Sequence, residues 1–286
     1  MATVWHTSSS KGRPRLKVTR RSRASVKLEK LNTKDVQASD KFLKGLIIPD
    51  THAPYHNKTS WKLLTAVTET YEPDLVLDLG DHFDCYCVSQ HRKDPKRRAN
   101  LVEEIEEGQE CLRIFNPVKR KYFVEGNHEW RLVRYLMDFA PEAYEFLLSR
   151  TKGDMFGLKE MGWIVTPYMQ SITIGKLNAT HDLDRAGENA VADAMSSFMD
   201  NVIIGHTHLL RYMVKGTAFG VPHLGASFGW LGDVEKIDYR HSVKARRDYV
   251  QGFGTFRLDP ETGYSWVTPV PIFGNTCCVE GKVFKV

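Results

Sequence analysis

The apolar residues of this chain fall into short runs that end on small or polar residues, and the runs follow two rhythms. FLKGLII, residues 42–48, is a nearly continuous apolar stretch closed by Pro49, the signature of a strand buried on both faces. TSWKLLTAVTETY, residues 59–71, repeats its apolar positions at helical spacing, with Thr59 or Ser60 placed to cap it. DLVLDL at 74–79 returns to the strand rhythm, so residues 43–79 predict a βαβ unit with a right-handed crossover. A helix is expected over about 97–115, with Glu103, Glu104, Glu106 and Glu107 forming a solvated face. KYFVEG at 121–126 predicts a third strand, followed by helical segments to about Ser149.

Residues 150–165 carry glycines without a clear period and are expected to form a cap or insertion near a site. SITIGKLNATH at 171–181 reads as a hairpin turning near Gly175–Lys176, and a helix over about 186–199 leads into NVII at 201–204. Beyond it, YMVKG, TFRLD and YSWVTPVPIF are short alternating runs separated by Gly, Pro and Asp. They predict a second, mostly antiparallel sheet.

With 286 residues, 42% hydrophobic and 26% charged, the chain can bury a large core as one α/β domain or two small ones. No apolar run approaches the roughly 18 residues that span a bilayer, and MATVWHTSSSKGRPR has no apolar leader segment. A cytoplasmic protein without a membrane partner is therefore expected, its oligomeric state left open. Cys85, Cys87, Cys111, Cys277 and Cys278 have neither disulfide-framework nor zinc-finger spacing and predict reduced thiols. The net charge of +5 is uneven, because residues 11–30 hold nine Lys or Arg against one acid, Glu29. Residues 1–40 are expected to be a basic arm, disordered when free, that holds nucleic-acid phosphates by counterion release. Residues 41–286 form the folded domain.

Groups able to bind metal recur where the strand-like runs stop, the place where open α/β sheets put their ligands. PDTHAPYH supplies Asp50 and His52, LGDHFD supplies Asp81 and Asp84, and EGNHEWR supplies Asn127, His128, Glu129 and Arg131. THD supplies His181, and GHTH supplies His206 and His208. Any one segment alone is an ordinary turn with a polar residue. Five together, mixing carboxylate, amide and imidazole, suit borderline divalent ions better than Ca²⁺ and point to a two-metal site. His56, His82 and His91 lack such a context and read as surface or core groups.

The ordered set Asp50-x-His52, Gly80-Asp81-x-x-Asp84, Gly126-Asn127-His128-Glu129, His181 and Gly205-His206-x-His208 resembles the calcineurin-like metallophosphoesterase superfamily over roughly residues 43–270. The resemblance implies an α/β four-layer sandwich, two mixed β-sheets flanked by helices, with a dinuclear centre at the strand ends. It implies Asp50, His52 and His208 on one metal, Asn127, His181 and His206 on the other, and Asp81 bridging. His128 would face the scissile phosphate, with Asp84 orienting its ring. Two divalent ions are implied, Mn²⁺ first, with Fe, Zn, Ni or Mg as alternatives. Such a pair shares a hydroxide and clamps phosphate oxygens. Arg131 and Tyr55 lie beside the motif blocks and are candidate substrate contacts, although a structural role is equally open to both.

Phosphoprotein phosphatases and diadenosine tetraphosphatases of this superfamily carry Arg-Gly after the second aspartate and lack the Gly-His-x-His block. Here Asp84 is followed by Cys85-Tyr86 and GHTH is present, a pattern similar to phosphodiesterase-like and nuclease-like members. Glu129 leans mildly the other way, since nuclease members often carry Asp there. The leading expectation is a phosphodiesterase, nuclease or phosphatase acting on nucleic acid. A nucleotide or cyclic-nucleotide hydrolase is the alternative. A phosphoprotein phosphatase ranks lower, as does a non-catalytic binding module, which should have lost a ligand or His128.

Overall fold

In the computed structural model the described residues are 41–91, 93, 100–218, 220–236 and 248–286; the basic arm expected over 1–40 lies outside them. β1 (Leu43–Ile48), α1 (Lys58–Tyr71) and β2 (Leu75–Asp78) form the βαβ unit, with β1 and β2 parallel. α2 (Leu101–Leu112) precedes β3 (Arg120–Val124), and α3 (Asn127–Phe139) and α4 (Pro141–Thr151) lead to β4 (Trp163–Thr166). The second half starts with the hairpin β5 (Ser171–Ile174) and β6 (Leu177–Thr180). It continues through α5 (Ala190–Phe198), β7 (Val202–Ile204), β8 (Leu210–Lys215) and β9 (His223–Phe228). β10 (Gly252–Leu258), β11 (Ser265–Pro271), β12 (Thr276–Val279) and β13 (Lys282–Lys285) finish the chain.

β12 and β13 pair on their own, and the two larger sheets have the orders β11-β10-β1-β2-β3-β4 and β5-β6-β7-β9-β8. Both are mixed. β1 to β4 run parallel, with β10 and β11 added antiparallel at one edge. In the second sheet a parallel centre, β6-β7-β9, is flanked by antiparallel β5 and β8. The expected second antiparallel sheet is thus corrected. TFRLD and YSWVTP return to the first sheet, where β10 pairs with β1 from Leu43↔Leu258 to Ile47↔Gly254. Alternation was legible in those runs, but the partner strand lies some two hundred residues earlier, and local pattern carries no information about it.

β1 shows why the layers stack. Leu46 and Ile48 point into a core shared with Leu63, Leu64 and Val67 of α1. Ile47 points the other way, among Ile203, Ala226 and Phe228 of the second sheet. Every one of these positions is buried, and alternate strand residues necessarily face opposite sides. A third cluster seats Val191, Ala194 and Met195 of α5 on Val202 and Ile204 of β7. Helices, sheet, sheet and helix make the four-layer α/β sandwich.

Three local expectations differ from what is observed. The cap of α1 is Asn57, whose Oδ1 accepts from the backbone N–H of Thr59 and Ser60 at 3.1 and 3.0 Å, so the helix starts earlier than either expected cap. Glu104 is not on a solvated face: it is 1% exposed and accepts the Tyr86 backbone N–H at 2.8 Å. Residues 150–165, read as a cap or insertion, send Phe156 and Leu158 into the core beside α2 and finish as the edge strand β4. No helix among the described residues is long and apolar enough to cross a membrane.

Candidate metal centre

The loops after β1, β2, β3, β6 and β7 converge at one end of the two sheets, and the backbone there takes an unusual form. Asp50, His52, Asp81, His206 and His208 all have positive φ, between 36° and 62°. The left-handed region disfavours residues with a Cβ, and Asp and His tolerate it better than most. Five such residues in one place hold side chains where extended or helical backbone would not aim them. Two glycines serve a different purpose. A Cβ on Gly126 would sit 2.3 Å from Asp81 Oδ1, and one on Gly205 would lie 3.1 Å from His181 Nδ1 and 3.2 Å from Asp50 Oδ2. Gly205 has no positive φ, and the left-handed backbone falls on His206 and His208 instead. Close approach is what requires glycine there.

Two clusters result, linked through a third group in which His52 meets Asp81. In the first, Asp50, His52 and His208 bring their ligand atoms within 4.8 Å of one another. His52 Nε2 faces His208 Nε2 at 3.2 Å, and His208 Nε2 is 3.4 Å from Asp50 Oδ1. In the second, Asp81, His181 and His206 converge in the same way. Asn127 Oδ1 is 3.1 Å from His181 Nε2 and 2.8 Å from His206 Nδ1. His52, Asp81 and His128 form an overlapping third group. All seven residues expected as ligands therefore meet at one point of the fold.

The polar atoms explain themselves only if cations sit among them. His181 Nδ1 is 2.7 Å from the Leu79 carbonyl, which can only accept, so that nitrogen carries the proton. In the neutral ring Nε2 is then a lone pair, yet it faces Asp81 Oδ2 at 3.3 Å and Asn127 Oδ1 at 3.1 Å. Without a metal the ring must take a second proton. Burial opposes that, but the Asp81 carboxylate outweighs burial and lifts the His181 pKa to about 10. Asp50 Oδ2 is buried without a hydrogen-bond partner. His52 Nδ1 lies 3.0 Å from the Asp84 carboxylate, which fixes its proton there, so its Nε2 lone pair meets His208 Nε2. Acceptors that converge on one another, with an orphaned buried carboxylate oxygen among them, fit divalent cations.

His128 stands beside this cluster. Its Nδ1 is 3.0 Å from Asp84 Oδ1, its backbone N–H donates to Asp81 Oδ1 at 2.8 Å, and its Nε2 lies 3.6 Å from Asp81 Oδ2. Arg131 donates to His128 Nε2 at 2.6 Å and to the Asp84 carbonyl at 2.9 Å. Burial foremost, with the Arg131 charge added, outweighs Asp81 and Asp84 and lowers the His128 pKa to about 3. The ring is therefore neutral, its Nδ1–H given to Asp84 and its other lone pair to Arg131. Asp84 is held well below the usual carboxylate range: burial opposes this, but hydrogen bonds from His128 and His52 prevail.

Several supporting groups were not read from the sequence in these roles. Glu129 accepts from the backbone N–H of Asp81, Gly126 and Phe83 at 2.9, 2.7 and 2.8 Å, tying the second ligand loop to the start of α3. Asp182 lies 3.7 Å from His206 Nδ1 and accepts from Tyr168. Trp230 stacks on His208 with centroids 4.7 Å apart at 17°, and Tyr249 meets the same ring edge-on at 4.6 Å. Nothing near Trp230 or Tyr249 in sequence marks them; only the fold brings them to GHTH. Tyr55 is directed to α2, its hydroxyl donating to Glu104 Oε1 at 3.4 Å. His82 is buried 3.1 Å from Asp78 and His56 is buried beside Cys111, whereas His91 is exposed.

The sequence profile of the calcineurin-like phosphoesterases matches residues 43–212, more than half of the 286 residues. Fold, cluster and profile agree: the chain belongs to the calcineurin-like phosphoesterase family. Among its relatives, the Gene 54 protein of Mycobacterium phage L5 is 26% identical over 257 residues, 84% of this chain and 98% of that protein. Similar solved structures include a single mutant of Vps29 from Entamoeba histolytica, with 16% identity, 85% of this chain and 96% of that one covered, and a TM-score of 0.41. Another is YfcE, a phosphoesterase from E. coli, with 15% identity, 76% and 89% coverage, and a TM-score of 0.36. The family and the His/Asp cluster together indicate a dinuclear divalent metal site.

Proposed function

We propose that this chain hydrolyses a phosphodiester, with nucleic acid as its substrate. The observation that carries the reading is the pair of clusters linked through His52 and Asp81, with His128 and Arg131 beside them. Asp50, His52 and His208 would hold one ion, Asn127, His181 and His206 the other, and Asp81 both. Mn²⁺ is the first metal to try, with Fe, Zn, Ni and Mg behind it. When bound, the two ions supply an activated water and a clamp on the phosphate oxygens.

The chain's own residues supply orientation and charge. Asp84 fixes the His128 ring through Nδ1, and His128 in turn fixes the Arg131 guanidinium. The Arg131 guanidinium provides the cation that the sequence lacks after Asp84. It stands one turn into α3, the helix that begins with Asn127 and His128, where it would meet the charge that builds on the departing oxygen. The basic arm over residues 11–30 supports nucleic acid as the substrate, because such a run adds backbone affinity without reading sequence.

The test is hydrolysis of bis-p-nitrophenyl phosphate against p-nitrophenyl phosphate by the Mn²⁺-loaded chain, followed by single-stranded DNA and RNA. Diester cleavage that falls at least about tenfold in His128→Ala is expected. The reading fails if neither ester is cleaved with Mn²⁺ or Ni²⁺. Deleting residues 1–35 should lower nucleic-acid affinity and flatten its salt dependence. An unchanged salt slope would turn the substrate assignment toward a small nucleotide.

A further inference from the structure

α4 is an eleven-residue helix without a single buried side chain. A helix that short is marginal in water by itself, where about 12–15 residues are needed, so packing has to sustain it. Contact with α3 leaves Tyr144, Leu147 and Thr151 half-buried and the rest of α4 exposed. The same hairpin of helices exposes large apolar groups: Phe139 is 68% exposed, Phe146 58%, Met137 49%, Leu148 41% and Tyr135 40%. The Tyr135 and Phe139 rings lie 5.1 Å apart. At about 150–250 Å² for a whole aromatic side chain, these five expose roughly 500 Å² of largely apolar surface. That is near the upper end for the largest patch of a monomer, about 300–600 Å². We propose that the α3–α4 hairpin is the surface through which this chain pairs with a second copy of itself.

The charges on α4 favour a copy of the same helix as the occupant. Glu142, Phe146 and Arg150 are exposed and spaced four apart, so they share one face. The Arg150 guanidinium lies over the Phe146 ring, 5.3 Å from its centroid, while Glu142 has no ion pair among the described residues. Set antiparallel across a twofold axis at Phe146, Glu142 of each copy falls opposite the partner's Arg150. A twofold contact needs a surface that complements itself, and this stripe is one. Residues 127–151 hold three Arg against four acids, which gives no basic field to draw a phosphate backbone. The area agrees as well, since a standard interface buries about 800 Å² per partner, of which about 450 Å² is apolar. Asn127 and His128 lie at the other end of α3, about 18 Å along the helix from Phe139, so the contact is separate from the metal ligands.

Sedimentation velocity of the nuclease-treated full chain, from about 1 to about 100 µM, tests the proposal. Particles of two chains are expected at the upper concentrations. Phe146→Glu should weaken pairing by at least about tenfold. Arg150→Glu sets like charges against each other and should weaken it by about several-fold. Adding Glu142→Arg to Arg150→Glu exchanges the two charges and should recover most of that loss, a result that general unfolding cannot imitate. All three positions are exposed, so the variants should keep the circular dichroism of the parent. A single-chain mass at every concentration overturns the proposal, as does a dimer that Phe146→Glu leaves intact. Failure of the exchanged pair to restore what Arg150→Glu loses overturns the antiparallel contact. Deleting residues 1–35 separates the rival occupant. Pairing that appears only after the deletion would mean that the arm covers the hairpin in place of a second copy, and the proposal then fails too.

Discussion

The two halves of the metal centre use the same kinds of ligand but are built differently. The half made by Asp50, His52 and His208 is closed: these residues are 0%, 2% and 4% exposed, and Trp230 and Tyr249 wall the His208 ring. Its loop is also sewn to the chain around Trp230. Leu231 donates to the Asp50 carbonyl, Asn57 donates to the Leu231 carbonyl, and His56 bridges Gly232. The half made by Asn127, His181 and His206 is open on one side, where the His206 side chain is 27% exposed. A buried, pre-organised cradle spends less free energy on ordering when the ion binds and releases it slowly, whereas an open one exchanges with solvent. The closed half should therefore hold its ion more tightly, and the open half should be where phosphate enters.

Breaking the element common to both halves should have the largest effect. Asp81→Asn removes the shared charge, so metal content should drop in both halves together. Diester hydrolysis should fall by more than about 100-fold, the upper end of what outer partners of a metal ligand cost. Elemental analysis alongside a rate assay checks this; two retained equivalents would mean Asp81 does not bridge. His206→Ala is the asymmetric counterpart. It should lower bound metal from two equivalents toward one, with a loss of about 10- to 100-fold in rate that excess Mn²⁺ partly restores. Chelation of the parent should then proceed in two phases, with only the faster one missing from His206→Ala.

The contrast between the halves also marks what the sequence could carry. The residues that meet in both halves were legible as candidates, because each follows an apolar run, with a glycine directly before Asp81, Asn127 and His206, and local spacing is enough to place them at strand ends. Which half is closed was not. Trp230 and Tyr249 reach His208 through β9 and β10, and β10 joins β1 across the whole length of the domain. The same long-range pairing sent TFRLD to the first sheet instead of the second. Glu104 looked solvated because three other glutamates surround it, and its burial depends on the Tyr86 backbone N–H arriving from another loop. Left-handed backbone at Asp50, His52 and His208 leaves no trace in composition either; it becomes visible only when φ is measured.

A smaller change sharpens the comparison at the wall itself. Trp230→Phe keeps an aromatic face on His208 but leaves a gap in a fully buried position, at a cost of about 1–3 kcal/mol in stability. If the wall is what slows release from the closed half, the slow chelation phase should accelerate several-fold in this variant, with the fast phase unaltered. Equal acceleration of both phases would show general loosening, not a loss of the wall.

The smallest effect expected is on pH dependence, through the seam between the closed half and its wall. His56 is 2% exposed, and burial, with the Lys58 charge next, lowers its pKa to about 4. Above the unfolded value of about 6.5 the ring is neutral in both states and costs nothing. As pH falls below that value the unfolded chain binds a proton that the folded chain refuses, so stability is lost progressively until the folded pKa is reached. Between pH 7.5 and pH 5 the loss should be about 1–2 kcal/mol. Denaturant unfolding of the parent and of His56→Gln at both pH values isolates the contribution, since every other titrating group is common to the two proteins. The variant should lose less stability on acidification by about that amount. An identical loss in both would mean that the seam opens to admit the proton, and that the closed half is looser than its burial implies.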